Sequence, residues 1–156
     1  MARKTIDEIR NIVQTVVKQV GSRCPFKIAK YLDIVVCSTY LADADGYWME
    51  EQRVKGVLLN NELSYDRQSL VLAHEIGHAV MHYDINTSFM RAYTHFSTDS
   101  FEVEANLFAF ELIFDESCEG ESVDALINQY GLNKDEIQLM YERIEGQRKL
   151  GDYESW

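Results

Sequence analysis

The chain has 156 residues, 46 % of them hydrophobic and 26 % charged, enough for one globular domain with a real core. A net charge of −11 disfavours direct binding to a phosphate backbone and suits a basic protein partner instead. Three widely spaced cysteines, with no CxxC pair, exclude a disulfide framework and a thiolate zinc ribbon.

No apolar run approaches the roughly 20 residues of a membrane helix. The opening "MARKTIDEIR" lacks the apolar stretch of a secretory signal. A cytoplasmic location is therefore expected, with no membrane contact. Cys37, in the apolar run "IVVCSTY", reads as a small core residue.

The first predicted element is an amphipathic helix, "TIDEIRNIVQTVVKQVG". Thr5 and Glu8 form a capping box, Ile6, Ile9, Val13, Val16 and Val20 repeat at helical spacing, and Gly21 ends it. Pro25 opens a short second helix. Residues 34–60 read as a small three-stranded antiparallel sheet, with "ADG" as turn chemistry before the strand at Tyr47, Trp48 and Met49. A helix follows from Tyr65 to His82. Residues 83–100 show no periodicity, and a connection that long suggests cover over a functional site. "FEVEANLFAFELIF" is apolar almost all round, as a buried helix is. Two more helices end the chain, over 122–130 and, capped by Asn133 and Glu136, over 134–148. Residues 1–150 thus make one domain, and 151–156 a frayed tail.

"LVLAHEIGHAVMHY" carries the chemistry. His74-Glu75-Ile76-Gly77-His78 is an H-E-x-x-H pattern inside a helix. Histidines four apart share a face, so both imidazoles can reach one ion, and Glu75 projects to the same side as a general base. A merely buried helix fits poorly, because these polar groups would sit unpaired among Leu70, Leu72, Ala73, Ile76, Ala79 and Val80. Gly77 costs a helix interior about 1 kcal/mol relative to alanine, which predicts a close-passing backbone. His82 also lies four past His78, but no glutamate follows His78. It reads as structural, within reach of the helix's terminal carbonyls, or as a support behind a ligand.

A catalytic zinc keeps three protein ligands and one open position. His95 is one candidate for the third, and "FEVEAN" offers Glu102 and Glu104, which point about 200° apart on a helix. Glu102 shares its face with Ala105, Asn106 and Ala109, small or polar side chains that permit close helix approach, and Asn106 can hydrogen-bond a ligand from behind. Glu104 shares its face with Phe108 and Glu111 and reads as partly solvated. Glu102 is the better choice.

With "CPFKIAKYLDIVV" and "VLLNNELS", the segments "LAHEIGHAVMH" and "FEVEANLFAFELI" resemble the ImmA/IrrE metallopeptidases. HEIGH followed at this distance by E-x-E-A-N-x-F-A is the specific part. The resemblance implies that His74, His78 and Glu102 hold one zinc ion, that Glu75 is the base, and that Asn106 supports a ligand. It implies an α+β, mainly helical zincin-like domain with a small antiparallel sheet beside the HEXXH helix. It also implies site-specific cleavage of a helix-turn-helix repressor, relieving repression of a prophage, mobile element or stress regulon. The chain departs from the family pattern at "LIFDES", where a proline is usual.

The mechanism expected is metal-assisted peptide hydrolysis, with Tyr93 and His95 as candidate donors to the oxyanion. A site of two histidines and one carboxylate also suits other divalent ions. The competing reading is a non-proteolytic zinc protein that binds and titrates a repressor, against which Glu75 argues. "VDALINQYGLNKDEIQLMYERI" looks like a helix-turn-helix, but its second helix is acidic, which argues against major-groove readout.

Overall fold

A computed structural model describes residues 3–82, 100–114 and 120–154 of the chain. Along these run α1 (Ile6–Val20), α2 (Pro25–Tyr31), β1 (Ile34–Thr39), β2 (Gly46–Glu51), β3 (Val54–Asn60), α3 (Tyr65–Met81), α4 (Ser100–Ile113), α5 (Val123–Tyr130) and α6 (Lys134–Glu154). The architecture is α+β and mainly helical, as the sequence predicts. Two compact units divide it, Met1–Gly120 and Glu121–Trp156.

Local chemistry sets the helix ends. The Thr5–Glu8 capping box forms in both directions, and Gly21 takes the left-handed conformation (φ 79°) that closes α1. Pro25 occupies the first turn of α2. The Ser64 side chain accepts from Arg67 N–H at the start of α3. In the second unit Asn133 and Glu136 cap each other reciprocally at 2.9 and 3.1 Å. The helix they start continues to Glu154, six residues beyond its expected end at 148.

The sheet is not wholly antiparallel, which corrects the expectation. Its order is β1-β3-β2, with β2 antiparallel and β1 parallel to β3. The reason is the position of the hairpin. Glu51 pairs with Val54, so β2 and β3 are joined by only Gln52 and Arg53, both left-handed (φ 50° and 68°). That is the backbone a two-residue hairpin needs, reached here without the usual Asn-Gly, while "ADG" merely leads into β2. Once β2 holds one edge of β3, β1 takes the other and runs parallel to it. Residues 40–53 make the crossover, long enough for a parallel connection. Buried Asn60 secures that crossover by donating to Ala42 O (3.2 Å) and Ala44 O (2.9 Å). Arg67, on α3, anchors it just before β2 through Asp45 (2.7 Å).

Ile34, Trp48, Val57 and Leu59 fill the buried face of the sheet, and both α2 and α3 pack on strands of the sheet. Val35, Cys37 and Met49 face out. Cys37 is thus exposed rather than a core residue, because strand alternation puts it with Val35 on the open face. On the other side of the unit α4 lies against both α3 and α1. Arg10 of α1 makes a forked pair with Glu111 of α4 (3.1 and 3.2 Å). Among the described residues no helix is long and apolar enough to cross a membrane.

Candidate metal centre

α3 is buried along most of its length, since it runs between the sheet and α4. Its apolar positions Leu70, Leu72, Ala73 and Ile76 are at most 2 % exposed. Among them lie His74, Glu75 and His78, buried too, with Glu75 fully so. One helical turn separates the two imidazoles, whose ring centres are 4.8 Å apart.

Glu102, near the start of α4, completes the group. Its carboxylate oxygens lie 3.0 Å from His74 Nε2 and 2.8 Å from His78 Nε2. All three potential ligand atoms fall within 4.8 Å of one another. Both helices are positioned for this by a close crossing. A β-carbon added at Gly77 would stand 3.1 Å from the Phe108 side chain, so the near neighbour is a ring and its Cβ, not the backbone that the sequence suggested.

The opposite nitrogens of both rings are engaged. His74 Nδ1 lies 2.7 Å from Asn106 Oδ1, and an amide oxygen only accepts, so Nδ1 carries the proton and Nε2 offers its lone pair to a metal. His78 Nδ1 lies 3.0 Å from His82 Nδ1, and His82 Nε2 lies 2.7 Å from Glu104 Oε2. Glu104 Oε1 accepts from the backbone N–H of Lys4 at 2.6 Å. Two imidazole nitrogens and a carboxylate, converging in a buried site with their far sides held, are a donor set that fits a divalent ion.

The charges agree with the geometry. Burial pushes the Glu102 carboxyl up, but the two adjoining histidines outweigh it and hold the group at about 2. Burial likewise lowers the His74 pKa, but the Glu102 and Glu75 carboxylates beside it raise it overall. Glu75 is therefore close enough to act electrically on the cluster. Burial raises the Glu104 carboxyl, and the contacts from His82 and Lys4 N–H bring it below its ordinary value.

Of the residues singled out from sequence, His74, Glu75, His78, Glu102 and Asn106 come together here. Tyr93 and His95 lie outside the described residues. Glu104 is only 2 % exposed, not partly solvated. Its helix is apolar all round because it is covered on two sides, and Glu104 meets His82 at the end of α3 and the Lys4 N–H before α1 rather than water. His82 touches His78 directly, as the second of its two sequence readings has it. The even spacing 74, 78, 82 was the one local signal for it.

Fold and site together define a small helical α+β domain with a His-His-Glu group that could hold a metal ion. The family described as the IrrE N-terminal-like domain, peptidase family M78, matches residues 29–119. The chain therefore belongs to the ImmA/IrrE family, a metallopeptidase family. It is 37 % identical over 106 residues to "Uncharacterized immunity region protein 2" of Bacillus phage phi105, covering 67 % of each chain. It is 27 % identical over 133 residues to "Metallopeptidase ImmA" of Bacillus subtilis (strain 168), covering 85 % of this chain and 77 % of that one.

Proposed function

We propose that the protein is a zinc-dependent, site-specific endopeptidase whose substrate is a helix-turn-helix repressor of a prophage, mobile element or stress regulon. His74, His78 and Glu102 would hold the ion, and Glu75 is the general base. The observation that carries the reading is the convergence of two Nε2 atoms and one carboxylate beside a fully buried glutamate that is not itself a ligand. When bound, the ion supplies Lewis acidity to a peptide carbonyl and makes a water acidic near neutral pH. Glu75 takes the proton of the attacking water and delivers it to the leaving amine. His74 is steadied by Asn106 throughout. The likeness to a phage immunity-region protein supports a repressor as substrate, and the charge of −11 suits a basic one in the cytoplasm.

The test is to mix the purified protein and zinc with the repressor encoded beside its gene and read intact mass. One discrete cut is expected, slowed about 10²- to 10⁴-fold in Glu75→Gln while zinc content stays at wild type. Cleavage that persists in that variant removes Glu75 from its role. Binding without cleavage at full zinc occupancy would instead establish an anti-repressor that titrates its partner.

A further inference from the structure

The cluster behind His78 is not used by the mechanism above. It is built from three separate parts of the chain. His82 closes α3 and is 3 % exposed, Glu104 is on α4, and Lys4 precedes α1. His82 is fixed by its backbone N–H to His78 O (2.8 Å) and by the Phe101 ring, edge-on at 4.7 Å. Its ring therefore has little freedom to turn away.

We propose that His82 and Glu104 are a positioning pair that sets the tautomer and ring angle of His78, so that Nε2 faces the metal. This rests on the reading above in one respect, that His78 is a ligand. The chain of donors allows one arrangement with neutral rings. Glu104, already accepting from Lys4 N–H, accepts also from His82 Nε2–H. His82 Nδ1 is then a bare acceptor, and it takes the proton of His78 Nδ1. The lone pair of His78 is left on Nε2, on the side of Glu102. Thus the two ligand histidines are supported differently. His74 leans on a neutral amide, and His78 on a buried carboxylate acting through a second imidazole, a charge-assisted path that raises its basicity as a ligand.

Zinc affinity, measured by competition with a chromophoric chelator, tests the pair separately from cleavage. His82→Leu, which can neither accept from His78 nor donate to Glu104, should weaken zinc binding about 10- to 100-fold. His82→Gln can do both and should recover most of that loss. Equal losses in the two variants, with wild-type unfolding midpoints, would reduce His82 to a packing role and overturn the proposal. A second measurement needs no substitution. In zinc-loaded wild-type protein, nitrogen NMR of the imidazoles should find His82 neutral and protonated at Nε2, and a proton on its Nδ1 instead would overturn the pair. Failure of the metal reading looks different: wild-type protein that takes up no zinc would overturn both, whereas stoichiometric uptake with His82→Leu as tight as wild type overturns this proposal alone.

Discussion

Phe108 stands against Gly77 so closely that a β-carbon on the glycine would meet the phenylalanine Cβ, Cγ and Cδ1 at 3.1 Å. This contact sets how near α4 comes to α3, and hence the reach of Glu102 to His74 and His78. An alanine at 77 would gain about 1 kcal/mol of helix propensity but overpack the crossing by about 1–3 kcal/mol. Because the clash is with the rigid start of a side chain, overpacking wins. Gly77→Ala is expected to lower stability by about 1 kcal/mol in urea denaturation and to weaken zinc binding several-fold, the second effect exceeding what the first explains. A variant as stable and as tight as wild type would show that this contact does not govern the site.

Asn106 and His74 give the second prediction. Asn106→Ala leaves His74 Nδ1–H without its 2.7 Å acceptor and is expected to cost about 10- to 100-fold in zinc affinity. Asn106→Asp keeps an acceptor there and should stay near wild type. Chelator competition on the pair of variants measures the difference.

The third concerns pH. Glu102 is held at about 2, below its ordinary 4.5, so its contribution to folding of the metal-free protein is full above pH 4.5 and lost as pH falls from there through about 2. His74 is raised above 6.5, so its contribution is full below pH 6.5 and lost as pH rises through the raised value. For this cluster the metal-free protein is most stable between those limits. An ion needs the neutral imidazole, so zinc affinity should rise with pH, by up to about tenfold per unit, until His74 has lost its proton. Calorimetry in buffers of different ionisation heat should record proton release on zinc binding at about pH 6–7. Affinity independent of pH there would contradict the assignment of His74.

Asn60 supplies a fourth. It is 4 % exposed, donates to two carbonyls of the β1–β3 crossover and accepts from Glu62 N–H at 3.1 Å. Asn60→Ala should cost about 1–3 kcal/mol, since it removes three hydrogen bonds made by a buried side chain. Urea denaturation checks this, and a loss under about 0.5 kcal/mol, the range of an ordinary surface change, would show that the crossover holds without it.

Much of this was legible along the chain because its causes are local. The Thr5–Glu8 and Asn133–Glu136 boxes, Gly21 and Pro25 each act within one turn of themselves, so the helices they bound could be read directly. The HEXXH spacing works the same way, since a single helix fixes where His74, Glu75 and His78 point. Glu102 was within reach because the small residues beside it record the close helix on that side.

What lies across long separations in sequence needed the folded chain. Nothing in Gln52 and Arg53 announces a tight turn, so the parallel partnership of β1 and β3 and the outward face of Cys37 followed only from the assembled sheet. Glu104 meets His82 from 22 residues away and Lys4 from 100, and a helix covered on both sides gives no periodicity to say which neighbour each carboxylate faces. Sequence alone determined that two histidines and a glutamate share one helical face. Tertiary packing decided what the other carboxylate does, because the partners of Glu104 come from the end of α3 and from the residues before α1.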